Sequence, residues 1–135
     1  MSKRIESEKL IIDCHSEKAY DFIGNFDNFS HLLPGAVQNW QSDGESCTFV
    51  IKGLPTLGLR ITGKTPYSQI SMIGEGKLPF GFTFDAFIEE TSMQQCKSHL
   101  TIDADMNPFI ATMAEKPLQN FIDMLINKLK LELEK

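Results

Sequence analysis

The chain has 135 residues, of which 41% are hydrophobic and 23% are charged, and its formal net charge is -5 at pH 7. This length and composition predict one globular domain over residues 1–135, with enough apolar material for a core. The acidic balance and the scattered lysines and arginines argue against a nucleic-acid-binding surface, which needs a basic patch.

The N-terminal residues carry a basic pair, Lys3 and Arg4, but no apolar run follows them, so no secretory signal is predicted. No stretch approaches the roughly 18 apolar residues that a membrane span needs. The three cysteines, Cys14, Cys47 and Cys96, are widely spaced and form no CxxC pair. We therefore expect reduced, buried thiols and a cytoplasmic protein.

The first third of the chain predicts a strand followed by two short helices. The strand covers residues 4–13. Ser16 is a favourable N-cap for a short helix that begins at Glu17, because its hydroxyl can accept from a free backbone amide. Asp27 is suited to cap a second short helix, which Pro34 ends.

The middle of the chain, residues 37–105, alternates apolar and polar positions with a period of two. This pattern predicts antiparallel strands joined by turns, and Asp43-Gly44 is a strong hairpin signal. The most apolar of these strands contains FGFTF at residues 80–84. Its three phenylalanines share one face, since successive side chains of a strand point to opposite sides.

The last segment predicts one long helix. Asn107 and Pro108 form a favourable start, and a helix from there to about Leu133 is roughly 40 Å long at 1.5 Å per residue. Pro117 interrupts its hydrogen-bond pattern and predicts a kink. This helix is the one predicted element that is long and apolar enough to cover the sheet, so the FGFTF rings are expected to face it.

This order of elements resembles the helix-grip fold of the SRPBCC superfamily, which includes START lipid-transfer domains, the birch pollen allergen and polyketide cyclases. The resemblance spans nearly the whole chain, with local similarity in CHSEKAYDFI at residues 14–23, LLPG at residues 32–35 and residues 107–129. The LLPG step is similar to the carbon monoxide dehydrogenase G-like branch of that superfamily. The resemblance implies an α+β fold in which a curved antiparallel sheet of six to seven strands wraps around the C-terminal helix.

The resemblance also implies a cavity between the sheet and the helix, which opens near the short helices and takes a small hydrophobic or amphipathic ligand. Phe29 and Leu32 are then expected near its mouth. The expected wall residues are Phe49, Ile61, Met72, Phe82, Phe84, Leu100, Met113, Leu118 and Phe121. The same side chains are equally compatible with a completely filled interior, and both alternatives stay open on sequence grounds.

Catalytic patterns are absent from the sequence. His15, His31 and His99 are far apart and have no metal-binding spacing, so neither a metal nor a cofactor is predicted. His31 is the histidine of most interest, since it precedes the LLPG step. The resemblance to polyketide cyclases implies a polar acid or base in the pocket, for which the candidates are His31, Asn39, Tyr67 and Asp85. Three functions remain open: sequestration or transport of a hydrophobic ligand, a cyclase- or dehydratase-like reaction on an aromatic substrate, and an accessory module that binds another protein.

Overall fold

The computed structural model describes residues 2–32, 37–51, 53–76 and 80–135, without the side chains of residues 2 and 31. Its elements, in chain order, are β1 (Ser2–Glu6), β2 (Leu10–Ile12), α1 (Ser16–Ile23), a 3₁₀ helix (Phe26–His31), β3 (Val37–Ser42), β4 (Ser46–Ile51), β5 (Thr56–Thr65), β6 (Gln69–Gly74), β7 (Gly81–Ser92), β8 (Gln95–Asp105) and α2 (Pro108–Leu133).

The strands form one eight-stranded antiparallel sheet in the order β1-β8-β7-β6-β5-β4-β3, and β2 pairs with β8 beside β1. Helix α2 packs against β1, β2 and β8. It also reaches β4, where the Phe121 ring lies 5.5 Å from the Phe49 ring, measured between centroids. The predicted α+β helix-grip architecture is confirmed.

The alternation predicted for the FGFTF strand is also confirmed. Phe80, Phe82 and Phe84 are buried, and so are the next two residues of the same face, Ala86 and Ile88. All five belong to the core that α2 completes. The opposite face of β7 is exposed or half-buried.

The single strand predicted over residues 4–13 is two strands, which raises the count from the predicted six or seven to eight. The break lies at Ser7, whose backbone N–H donates to the Leu100 carbonyl at 2.8 Å. The Ser7 hydroxyl oxygen accepts from the Leu100 N–H, also at 2.8 Å. The side chain thus replaces a regular ladder bond, and β2 resumes pairing farther along β8.

Both short helices begin at a different cap from the predicted one. His15 caps α1, because its Nδ1 accepts from the Glu17 N–H at 3.0 Å, while Ser16 is the buried first residue of the helix. Asn25 caps the 3₁₀ helix, because its Oδ1 accepts from the Asp27 N–H at 2.9 Å. In the LLPG step, residues 33–35 lie outside the described residues.

Helix α2 begins and ends as predicted. The Asn107 Oδ1 accepts from the Ile110 N–H at 2.9 Å, and Pro108 occupies the first turn. The helix continues through Pro117 to Leu133, and the kink stays a prediction. No helix in the described part of the chain is long and apolar enough to cross a membrane.

Candidate functional site

The site is shaped by an irregularity in the edge strand β3. Its register against β4 shifts between Gln38 and Gln41, so β3 has one extra residue there. Asn39 adopts a φ of 57°, a left-handed conformation that asparagine tolerates better than most residues do. Such a β-bulge re-aims the side chains beside it. As a result Trp40 packs against the core, while both glutamines are exposed.

Four aromatic rings then form a continuous stack from the 3₁₀ helix to α2. The centroid distances are 6.1 Å from Phe29 to Trp40, 5.5 Å from Trp40 to Phe49 and 5.5 Å from Phe49 to Phe121. The interplanar angles are 18°, 29° and 21° in the same order. Phe26 meets Phe29 and Trp40 edge-on. We call Phe29, Trp40, Phe49 and Phe121 the aromatic stack.

Trp40 differs from the rest of the aromatic stack in two respects. The three phenylalanines are buried, with at most 5% exposure, whereas Trp40 is half-buried. Its indole Nε1 is nevertheless buried, and no acceptor of the described residues hydrogen-bonds to it. The other described buried side-chain atom without a partner is the Thr101 Oγ1. Thr101 alternates with the core residue Leu100 and therefore lies on the outer face of the sheet.

Most of the eleven side chains predicted to contact a ligand are buried, and their contact with a ligand stays a prediction. Nine of them are buried: Phe29, Leu32, Phe49, Met72, Phe82, Phe84, Leu100, Leu118 and Phe121. Ile61 is half-buried and packs against the core. The prediction for Met113 is wrong, because its side chain is 58% exposed, on the same outer side of α2 as Phe109. Ala114 occupies the inward position instead.

The histidines that the structure describes lie away from the interior. His15 is exposed, and its Nε2 lies 3.4 Å from a Glu90 carboxylate oxygen. His99 stacks on Phe87 at 4.9 Å on the outer face, where burial lowers its pKa. His31 ends the 3₁₀ helix, but its side chain lies outside the described residues, so its catalytic role stays a prediction.

The described interior contains no charged side chain. The buried polar residues of the described chain are Ser7, Ser16, Ser98 and, on the outer face of the sheet, Thr101. Burial raises the pKa of Cys47 to about 12 and that of Cys96 to about 12. Both thiols are therefore neutral at physiological pH and poor nucleophiles. Within the described ranges, no group of three or more histidine, cysteine, aspartate or glutamate residues could hold a metal ion.

Trp40 was missed by the sequence reasoning. Strict alternation along β3 places residue 40 on the same side as Gln38, which is exposed, and only the bulge reverses this. Two signals were nevertheless present. Trp40 is the single tryptophan of the chain, and it follows an asparagine, a residue that tolerates the left-handed conformation of such bulges.

No family model matches the chain, and no curated protein matches it in sequence. Solved structures match its fold. A truncated norcoclaurine synthase from Thalictrum flavum superposes with a TM-score of 0.77 at 14% identity, covering 100% of this chain and 96% of that one. A START superfamily protein from Mycobacterium smegmatis gives 0.75 at 10% identity, with 97% of each chain covered. The chain has the START-like helix-grip fold.

A further structure with this START-like fold is the Zhui aromatase/cyclase from Streptomyces sp. R1128. Its TM-score is 0.75 at 10% identity, and the match covers 99% of this chain and 94% of that one. Identities at this level show a shared fold alone, and one fold hosts many functions. The similarity to the carbon monoxide dehydrogenase G-like branch stays a prediction.

Proposed function

We propose that this START-like protein binds a small hydrophobic or amphipathic molecule between its sheet and α2, and that it sequesters or transports that molecule. The observation that carries the proposal is the aromatic stack. It brings rings from the 3₁₀ helix, β3, β4 and α2 together on the concave side of the sheet, and one of them is only half-buried. Apolar and aromatic walls with few polar groups are typical of ligand sites.

The structural neighbours support an aromatic ligand. Norcoclaurine synthase from Thalictrum flavum has been solved in complex with dopamine and hydroxybenzaldehyde, both of which contain a benzene ring. Two other neighbours are aromatase/cyclases. We propose that this chain likewise accepts a ring-containing molecule, with access beside the 3₁₀ helix where Trp40 reaches solvent.

The proposed lining joins Trp40 to the inward residues that the sequence predicted. It leaves out Met113 for its exposure and keeps Ile61 at the periphery. Flexible, polarisable Met72 is buried in this wall and adapts it to ligands of different shape. No part of the described lining is charged, so binding depends on apolar contact and stacking.

The second candidate function is a cyclase- or dehydratase-like reaction, which the names of the neighbours favour. Proton transfer needs a titratable group within hydrogen-bond reach of the substrate. The titratable side chains of the described interior are cysteine thiols, and burial raises the pKa of Cys47 and of Cys96 to about 12, which makes them poor proton donors and acceptors at physiological pH. We therefore rank this function below binding. If it is correct, turnover of an aromatic substrate is lost in His31→Ala while the melting temperature is unchanged. Unaltered turnover in that variant removes His31 from the mechanism.

An accessory role is the third possibility. Four apolar side chains on the outer face of α2, those of Phe109, Met113, Met124 and Leu131, are exposed and are the feature that favours a protein partner. This role and the cytoplasmic location both stay predictions. The free state of the three described cysteines agrees with a reducing compartment.

The binding proposal is tested with one substitution made on each face of the sheet. Phe49→Leu removes a ring from the aromatic stack, and Phe87→Leu removes one from the outer face, where it stacks on His99. The probes are long-chain fatty acids, quinones and naphthyl ketones, and isothermal titration calorimetry measures their affinities for each protein. We expect Phe49→Leu to weaken binding by about tenfold, because a stacking contact and part of the apolar contact are lost.

The control Phe87→Leu is expected to leave the affinity unchanged. Solvent extraction of the freshly purified protein, followed by mass spectrometry, identifies any molecule that copurifies with it. The proposal is wrong if none of the probes binds and no copurifying molecule is found in the extract. It is also wrong if Phe49→Leu and Phe87→Leu weaken binding equally.

A further inference from the structure

We infer that the bound molecule is flat and carries a neutral hydrogen-bond acceptor, which receives the indole N–H of Trp40. This inference rests on the proposed function and identifies the chemical class of its ligand. Aromatic ketones, quinones and aryl esters belong to the class. Unsubstituted hydrocarbons and free fatty acids do not.

The need for an acceptor follows from the position of the indole Nε1. An indole N–H donates and cannot accept, so its partner must be an acceptor. A donor that is removed from water and left without a partner destabilises the state that contains it. The Trp40 Nε1 is buried and meets no acceptor of the described residues, although the residue as a whole is half-buried.

The neutrality of the acceptor follows from the surroundings. The aromatic side chains that contact Trp40 are the rings of Phe26, Phe29 and Phe49. No described buried side chain is cationic, so nothing in the described interior compensates a carboxylate there. Burying an unpaired carboxylate is far more costly than burying a carbonyl oxygen, so a ketone or quinone oxygen is preferred.

The flat shape follows from the rings. The planes of neighbouring rings in the aromatic stack lie within 18° to 29° of each other. Trp40 stands between the rings of Phe29 and Phe49, so a ligand meets its N–H along the edge of the ring, where a planar molecule parallel to the stack fits better than a bulky aliphatic one. The left-handed backbone at Asn39 holds Trp40 in this arrangement, and unfavourable backbone conformations of this kind concentrate at ligand sites.

The decisive probes are two molecules of the same shape. 2-Acetylnaphthalene has a C=O group where 2-isopropenylnaphthalene has C=CH₂, so they differ in the acceptor alone. Because the chain has one tryptophan, a ¹⁵N-labelled sample gives one indole N–H signal in a two-dimensional NMR spectrum. We expect the ketone to move that proton signal downfield, as a new hydrogen bond does. We expect the hydrocarbon to bind without that displacement.

Trp40→Phe supplies the quantitative test, because it keeps a ring and removes the N–H. Calorimetry gives the ratio of the ketone affinity to the hydrocarbon affinity in each protein. We expect the ratio to fall by about tenfold in Trp40→Phe, the value of one hydrogen bond between neutral groups, and to stay constant in Phe87→Leu. At neutral pH 2-naphthoate is expected to bind the unaltered protein more weakly than the ketone does.

The outcomes separate the two claims. If both probes bind and the ratio is the same in Trp40→Phe, the acceptor inference is wrong and the binding proposal stands. If neither probe binds the unaltered protein but a long-chain fatty acid does, the acceptor inference is wrong and the binding proposal stands. If Trp40→Phe does not fold, the indole signal of the unaltered protein decides alone, and a signal that moves equally with both probes overturns the inference.

Discussion

The two ends of the sheet-helix interior are built differently. At the closed end, which comprises β1, β2, β8 and residues 122–133 of α2, the inward side chains are mainly aliphatic and fully buried, among them Ile12, Ile122 and Ile126. At the aromatic end, which comprises the 3₁₀ helix, β3 and β4, the strand pairing is interrupted and Trp40 is half-buried. The two ends therefore differ in their side chains, which are aliphatic and fully buried at the closed end, and aromatic with one half-buried member where we place the ligand.

Hydrogen bonds across its surface hold the closed end together. The Lys130 ammonium donates to the Ile11 carbonyl at 2.7 Å, and the Lys18 ammonium donates to the Leu133 carbonyl at 2.9 Å. These contacts tie α2 to β2 and α1 to the end of α2. The C-terminal half of the helix is therefore attached to two other elements and can serve as a rigid support for the aromatic end.

The largest expected effect is at the closed end. Ile122→Ala removes a completely buried side chain from α2 and is expected to lower the free energy of unfolding by about 2 to 5 kcal/mol. Urea denaturation measures the change. Leu131→Ala, on the same helix but 67% exposed, is the matched control and is expected to change stability by less than about 0.5 kcal/mol. If Ile122→Ala lowers the free energy of unfolding by as little as Leu131→Ala does, the closed end is loosely packed.

The next effect concerns the bulge at the aromatic end. Asn39→Val places a β-branched residue at a φ of 57° and is expected to cost about 1 to 2 kcal/mol. It should also shift the Trp40 fluorescence to longer wavelength, because the ring loses its packing. Asn39→Gly is expected to retain both stability and emission. Gln38→Val, at a regular exposed position of the same strand, is the control, and an equal loss there would contradict the role of the bulge.

The smallest expected effect is on the pH dependence of stability. It is measured on one thiol from each end, Cys47 in β4 and Cys96 in β8. Burial raises both pKa values from the ordinary 9.0 to about 12 in the folded chain. Above pH 9 the unfolded chain releases these protons and the folded chain keeps them. The stability that the two thiols contribute is therefore complete below pH 9 and is lost as the pH rises toward 12.

The measurement is the free energy of unfolding at pH 8 and at pH 10. Alanine at either position is expected to reduce the loss between these two values by about 1 kcal/mol. Equal reductions from the two variants indicate that both thiols stay closed to solvent in the folded chain. If neither variant changes the slope, the thiols titrate normally and are not sealed from water.

The sequence predicted what repeats regularly. The burial of Phe80, Phe82 and Phe84 follows from a period of two, and the bounds of α2 follow from Asn107 and Pro108, because both signals are local. Of the nine buried candidates, five lie on strands and were predicted from the period of two, whereas Phe29, Leu32, Leu118 and Phe121 were predicted on helices.

The sequence-based predictions were wrong where two local patterns compete, or where contacts between distant residues determine the local structure. At the start of α2, apolar residues occupy both faces, so periodicity did not distinguish exposed Met113 from buried Ala114. The bond between Ser7 and Leu100 that divides the first strand joins residues 93 positions apart and leaves no local trace. The bulge at Asn39 shifts the phase of β3 by one residue, which hid Trp40.

The most direct test of the central claim is the position of a bound ligand relative to the two faces of the sheet. Intermolecular nuclear Overhauser effects between 2-acetylnaphthalene and the aromatic protons of the protein measure it in solution. We predict contacts from the ligand to the rings of Trp40, Phe49 and Phe121, and none to Phe87 on the outer face. Contacts to Phe87 without any to Phe49 and Phe121 would contradict a binding site between the sheet and α2.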